Sequence, residues 1–331
     1  MLSEFAVARY EIDLLCTRPM FLPPYKGSAL RGALTMQFKR LVCHQPGVRS
    51  CEGCEVEPSC PYSYVFETPA PADRKGTVGF SKFPRPFVVE PPPDSRQEYA
   101  AGDVLLMGLV LFGRGIEYLP YFVVTLRELA ASGLGTYRSP FALGRIHSVD
   151  DLAGRRELVY DPEDGVVRAS TIRLGYEDAR RYSDAMSGTD LVVRFLTCTR
   201  LMHQGRPAFR PEFHILVRNL LRRISALSTG HCGEWPDIDY KGIISRAEQV
   251  RIAGGRLEEV YWEHVSSRQG QRVPHDGIVG EVAYTGNLAE FLPLLVLGMF
   301  THVGDSCVLG MGRYEIACQA GGFPKDSHVA I

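Results

Sequence analysis

Over the second half of the chain the spacing of apolar residues changes in a set order, and that order limits the fold more than any single motif. Leu191 to Thr199 reads as a strand. Pro211 to Leu227 reads as a helix with proline at its first position. Phe213, Leu216, Val217, Leu220, Leu221, Ile224 and Leu227 form its apolar stripe. Glu259 to Val265 and Ile278 to Tyr284 read as strands. Leu288 to Thr301 reads as a second helix, which tolerates Pro293 near its start. Leu309 to Ala317 closes the series as a strand, and a further segment lies around 231–250. The order is β-α-β-β-α-β, the ferredoxin-like unit, whose sheet-and-two-helix layout also underlies RNA recognition modules.

The first half permits the same order. Residues 4–16 read as a strand, and Pro23-Pro24 breaks the chain. Ser28 can cap a helix running to about Val42, with Leu30, Leu34, Phe38, Leu41 and Val42 as its buried stripe. Arg31, Thr35 and Lys39 fall on another face. Residues 80–95 are proline-rich and read as a strand edge and a linker. Val104 to Phe112 is a strand, Tyr118 to Ala131 a helix, and Phe141 to Val149 a returning strand. Residues 150–188 look like short strands and a linker. The expected fold class is α+β: two tandem ferredoxin-like (RRM-like, βαββαβ) domains over 1–188 and 189–331, with a four-cysteine insertion at 43–60 in the first.

At 331 residues with 45% hydrophobic content the chain can bury a sizeable core, and its length suits about two domains. The net charge is −1, so a nucleic-acid partner needs a local basic patch. Arginine supplies most of the positive charge, since only six of the 37 basic residues are lysine. From Arg194 to Arg223 there are seven arginines and one acid, Glu212. Arg218 and Arg222 are four apart on the polar face of their helix, and Ser266 to Arg272 reads as a doubly basic hairpin tip. The first thirteen residues carry acids where a secretion signal needs bases and an apolar core, and no run of about 18 apolar residues exists. Nine cysteines without such a signal suggest a reducing cytoplasm.

Two stretches carry candidate chemistry. Cys43, Cys51, Cys54 and Cys60 fall within eighteen positions and include a CxxC pair. Thiolates this close bind structural zinc, or less often an iron–sulfur cluster; unliganded thiols and disulfides are the alternatives. The second stretch is Phe291 to Ile316, an apolar helix that passes through Gly304, Gly310 and Gly312 into a strand. Such a loop beside His302 and Arg313 could hold a phosphate or a ribose, or be a tight turn with no ligand.

Taken together these motifs resemble a CRISPR repeat-processing endoribonuclease of the RAMP superfamily. The resemblance runs through Pro24-Tyr-Lys-Gly-Ser-Ala-Leu-Arg-Gly-Ala-Leu34 and Cys54 to Cys60 with Pro61-Tyr62. It continues through Phe213 to Leu227, His231-Cys-Gly-Glu234, Ser267-Arg-Gln269, and His302 to Tyr314. It implies two ferredoxin-like domains side by side, a terminal glycine-rich loop on RNA, and metal-independent cleavage of precursor crRNA. The ribose 2′-hydroxyl attacks the neighbouring phosphate, leaving a 2′,3′-cyclic phosphate and a 5′-hydroxyl. A histidine near the first helix is common among catalytic residues of the family. The catalytic candidates are therefore His44 and His302, with Lys39 or Arg268 as phosphate cations and Tyr25 with Lys39 as the next pair. The RNA-binding candidates are Arg31, Arg200, Arg218, Arg222, Arg223, Arg268, Arg272, Arg313, Gly304, Gly310 and Gly312. One departure stands out: many relatives carry a lysine and threonines between His302 and Gly310, where this chain has Asp305, Ser306, Cys307 and Val308.

The implied partners are CRISPR repeat RNA, its crRNA product and a Cas interference complex, in antiviral defence, with no membrane. Zinc is expected as a structural ion and no metal is expected in the cleavage itself. Two other readings fit the same features: a RAMP subunit that binds crRNA without cutting it, and a zinc-stapled interaction module.

Overall fold

In the computed structural model, residues 2–45, 47, 51–69, 83–186, 190–266 and 271–319 are described. They form two compact units, each built on an antiparallel sheet. One holds residues 6–173 and 226–235; the other holds 1–5, 174–225 and 236–331.

The first unit is organised by β1 (Val7–Cys16), where Tyr10, Ile12, Leu14 and Cys16 turn inward and Arg9, Glu11 and Asp13 turn outward. That period of two buries one face of the sheet and leaves the other to charge. On the outer face Arg9 donates to Glu90 at 2.8 Å, and Arg156 pairs with Glu11 at 3.0 Å. β1 lies between β3 (Val104–Phe112) and β4 (Phe141–Asp150). β2 (Phe87–Glu90) is one edge, as the prolines around it predict, and β5 (Arg155–Tyr160) is the other. The order is β2-β3-β1-β4-β5. A two-residue pair, Met20–Phe21 with Glu98–Tyr99, stands apart.

Helices α1 (Gly27–Val42) and α2 (Leu119–Ser132) pack together in this unit. Ser28 is not the cap of α1; it sits in the first turn, after Lys26, and no side chain caps the helix. The helix start is held by Lys26, 1% exposed, whose Nζ donates to Asp94 O at 2.8 Å and pairs with Asp94 Oδ1 at 3.2 Å. A buried ammonium needs such a partner. The apolar stripe ends at Phe38, whose ring meets Phe66 at 5.1 Å and Phe122 at 5.7 Å. Leu41 is exposed and Val42 half-buried, so the expected stripe is one turn too long.

In the second unit β6 (Asp190–Thr199) lies between β8 (Gln271–Thr285) and β9 (Tyr314–Gln319), with β7 (Arg251–Ser266) beyond β8. The β7–β8 hairpin is longer than the sequence suggests, because glycines at 254, 255, 277 and 280 interrupt the apolar alternation that marks a strand. Helix α3 (Tyr176–Asp184) occupies the expected linker; it is mostly charged and offers little apolar periodicity to read. α4 (Phe213–Leu227) begins two residues after Pro211, whose carbonyl accepts from Tyr284 Oη at 2.9 Å. α5 (Tyr240–Ala247) is capped by Asp239, which accepts from Gly242 N. α6 (Leu292–Thr301) is buried along nearly its whole length.

The close fit of α6 on β9 yields a test. A methyl added at Gly298 would lie 1.9 Å from Tyr314 Oη, which itself donates to Leu295 O at 2.7 Å. Alanine favours a helix interior over glycine by about 1 kcal/mol. Gly298→Ala should nevertheless destabilise the protein by about 1–3 kcal/mol through overpacking, measured by denaturant unfolding.

Candidate functional site

The glycine-rich loop is stitched by its backbone to the end of β6. Val303 N donates to Gly312 O at 2.9 Å, Asp305 N to Arg200 O at 3.1 Å and Gly312 N to Cys198 O at 3.0 Å. Thr197 Oγ1 donates to Gly310 O and accepts from Arg313 N, both at 2.9 Å. Gly304 and Gly312 have φ of +87° and +71°. A Cβ there would stand 2.3 Å from Arg200 O and 1.8 Å from Val303 O respectively, so glycine is required twice over. A helical turn at Cys307–Leu309 delays the last strand to Tyr314.

This stitching decides the fate of His302. Its side chain is fully buried, and Nδ1 donates to Met311 O at 2.9 Å across the loop. The imidazole holds the loop closed and is placed away from solvent, out of reach of a phosphate. The side chain that does face a cavity is Arg200. It pairs with Asp276 at 3.1 Å and approaches Asp305 to 3.9 Å. These three, with Cys198, Pro274, His275, Ser306 and Met311, line an open cavity of about 340 Å³. His275 is stacked on Trp262 at 4.6 Å between centroids. Burial pushes the Cys198 thiol up to about 11. His275 and Asp276 escape a reading of the sequence because each is a single residue in a strand, with no spacing to mark it.

The arginines separate by what they touch. Arg218 and Arg222 are exposed on α4, as expected. Arg206 and Arg210 join them, and none of the four makes an ion pair with a described residue. The pair Met202–His203 with Arg206–Pro207 is tied to α4 by Asn219, which bonds both backbone groups of Met202 at 3.3 and 3.1 Å. Arg223 instead turns inward and donates to Thr301 O at 2.5 Å. Burial lowers its pKa, so it pins α4 to the end of α6 and is a structural residue. Arg313 is half-buried. Arg268 lies outside the described residues, and of Arg272 only the backbone is described, opposite Val265 in the hairpin.

In the first unit Lys39, Cys43, His44, Cys51, Cys54 and Cys60 line one small cavity of about 20 Å³. Lys39 lies 5.3 Å from the Tyr62 ring and Arg31 lies 6.0 Å from that of Phe66. Burial pushes the Cys51 thiol up to about 11, and Glu67, Cys60 and Cys43 add to the effect. Among the described residues no three such side chains are arranged to hold a metal ion as they stand. His44 is exposed beyond the end of α1. Tyr25 and Lys39 lie at opposite ends of α1, about 20 Å apart at 1.5 Å per residue, so they cannot act on one phosphate. His231 is a structural residue too. Its Nε2 donates to Pro84 O at 2.7 Å and its Nδ1 accepts from Tyr64 Oη at 3.1 Å.

Two family models match the chain. Residues 5–172 match AF_1859_N, an N-terminal domain, and residues 193–314 match "CRISPR-associated endoribonuclease Cas6". The chain belongs to the family of that N-terminal domain, and residues 193–314 are similar to the Cas6 endoribonuclease family. An uncharacterized protein of Archaeoglobus fulgidus is 28% identical over 303 residues, which covers 89% of this chain and 92% of that protein. Among solved structures, a Cas6 product complex is similar with a TM-score of 0.56 and 19% identity, covering 94% of this chain and 99% of that one. Cas6 of Thermus thermophilus gives 0.51 and 17%, over 94% and 98%. A partial Cas6-RT-Cas1–Cas2 complex gives 0.59 and 12%, over 99% of this chain and 48% of that longer one. At these identities the likeness is one of fold. No helix among the described residues is long and apolar enough to cross a membrane.

The placement of His302 makes a prediction. His302→Ala should lower stability by about 2–4 kcal/mol, since it opens a cavity and strands the Met311 carbonyl. Arg218→Ala should stay within about 0.5 kcal/mol of the parent. Parallel thermal melts read both.

Proposed function

We propose that the chain is an endoribonuclease that cuts precursor crRNA within its repeats, without a divalent ion in the chemistry. The observation that carries this is a coincidence of place. The segment that matches Cas6 also holds the exposed arginines 206, 210, 218 and 222, the glycine-rich loop and the Arg200 cavity. An arginine surface of this kind suits a phosphate backbone. The finer architecture in this reading is a pair of ferredoxin-like domains. The sheet order β9-β6-β8-β7 supports it, being fourth-first-third-second along a β-α-β-β-α-β chain. The order β4-β1-β3-β2, with β5 added at an edge, supports it for the first unit.

The chemistry follows from what side chains alone can supply. A base takes the proton of the ribose 2′-hydroxyl, whose oxygen attacks the adjacent phosphorus. An acid protonates the leaving 5′-oxygen, and a cation stabilises the crowded phosphorane. The products are a 2′,3′-cyclic phosphate and a free 5′-hydroxyl. His44 is assigned the acid–base role, because it is exposed while His302 is sealed inside the loop. Lys39 lines the same cavity as His44 and is assigned the phosphate cation. The product complex and the Cas1–Cas2 complex among the structural neighbours support crRNA and Cas proteins as partners.

A repeat RNA with a 2′-deoxyribose just upstream of the cut should bind and resist cleavage in gel assays; cutting at the normal rate overturns the mechanism. His44→Ala should lose about 10²-fold or more in single-turnover rate and keep RNA affinity. A wild-type protein that binds repeat RNA tightly but never cuts it would instead be a scaffold subunit. Arg218→Ala and Arg222→Ala should each lower the salt slope of RNA binding by about one unit. Asp305→Asn should tighten binding, because Arg200 would then answer to one carboxylate in place of two. Unchanged affinity in Asp305→Asn would place the RNA elsewhere.

A further inference from the structure

The motif least used by the ribonuclease reading is the loop after α1. Cys43, Cys51, Cys54 and Cys60 come from four separate points of an eighteen-residue segment, yet all four line one cavity. The segment has little else to hold it. Val56 is its one sizeable apolar residue lining that cavity, and between Cys43 and Cys60 the described secondary structure is a single helical turn at Glu57–Ser59. A loop so poor in apolar residues cannot offset the entropy of ordering by burial. Four half-buried thiols brought to one place therefore call for a cross-link that hydrophobic packing does not supply.

We propose that Cys43, Cys51, Cys54 and Cys60 hold one zinc ion as thiolates, and that this ion is the core of the 43–60 loop. The ligand set suits the ion: four cysteine thiols, with a CxxC pair among them, line one cavity. Zinc takes four thiolates tetrahedrally at about 2.3 Å and, so closed, keeps no open position for substrate. Among the described residues no three such side chains are arranged to hold a metal as they stand, so ion and local fold would form together. Four thiolates around one Zn²⁺ carry a net charge of −2. Lys39, on the last turn of α1 and lining the same cavity, sets one positive charge against it. His44 directly follows the first ligand, so the ion also fixes where the exposed imidazole stands. The inference does not depend on the ribonuclease reading, and its tests read metal and folding, with no need for cleavage.

The experiment uses the full-length untagged protein. Elemental analysis should find about one zinc per chain. Replacement by Co²⁺ should give the intense visible bands and near-ultraviolet thiolate charge transfer of a tetrahedral four-sulfur site. A chelator should lower the melting temperature by about 5 °C or more, reversed by added zinc. Cys43→Ser and Cys60→Ser should each lose most of the metal, while Cys318→Ser, at a half-buried thiol of the other unit, should keep it. Should the cysteine variants fail to fold, thiol titration of the parent decides: zinc-loaded protein should show about four fewer reactive thiols than chelated protein. Metal-free parent protein with an unaltered melt under chelator overturns the proposal. So does iron with an equal amount of acid-labile sulfide, or full zinc retention in both Cys43→Ser and Cys60→Ser.

Discussion

The backbone of residues 302–313 lies so close to the end of β6 that Gly304 has no room for a Cβ beside Arg200 O, and the loop closes on itself so tightly that Gly312 has none beside Val303 O. Most of what the second unit offers a ligand depends on that approach. It turns His302 inward to bond Met311 O. It sets Asp305 near Arg200, and it leaves a cavity walled by Arg200, Asp276 and His275. The loop is built from main-chain hydrogen bonds to β6, and side-chain identity matters mostly where it would collide or face the cavity. The acid at 305 then has a definite consequence. Arg200 is held between two carboxylates, so an incoming phosphate would have to displace one of them.

In the first unit the corresponding constraint is the ring cluster of Phe38, Phe66, Phe87 and Phe122. It orients α1, and Lys26 with Asp94 anchors the helix start. With the helix so placed, Tyr25 is at one end and Lys39 with His44 at the other. The cysteine loop leaves from the second end. His44, Lys39 and the four cysteines thus share one small region. In the proposed scheme the zinc contributes by fixing the loop that carries His44, and the phosphate chemistry is left to the side chains.

Charge illustrates why a count of residues is a poor guide to a site. The stretch from Arg194 to Arg223 carries seven arginines, which looks like one basic patch. Folded, Arg194 pairs with Glu281 and Glu315, Arg200 with Asp276, and Arg223, half-buried, donates to a backbone carbonyl. Arg206, Arg210, Arg218 and Arg222 are left to solvent. The acids that neutralise Arg194 and Arg200 come from positions 276, 281 and 315, far away in the chain. No local pattern contains that pairing.

The sequence by itself determined the order of strands and helices, because period-two and period-3.6 burial leave their mark wherever apolar residues dominate. β1, β3, α2, β4, β6, α4 and α6 were all legible within a few residues. It missed α3, whose residues are mostly charged, and it shortened the β7–β8 hairpin, whose glycines break the alternation. The four-cysteine motif and the glycine loop were visible as motifs, since spacing alone marks them. Only the tertiary structure decided which candidates face solvent. His302 and His44 are both lone histidines in the sequence, but one lies under a loop stitched to a neighbouring strand and the other beyond a helix end. His275 and Asp276 line a cavity only because β8 runs beside β6, where that loop lands. Burial and long-range pairing are properties of the packed chain, and they assign a side chain its role after local spacing has placed it on an element.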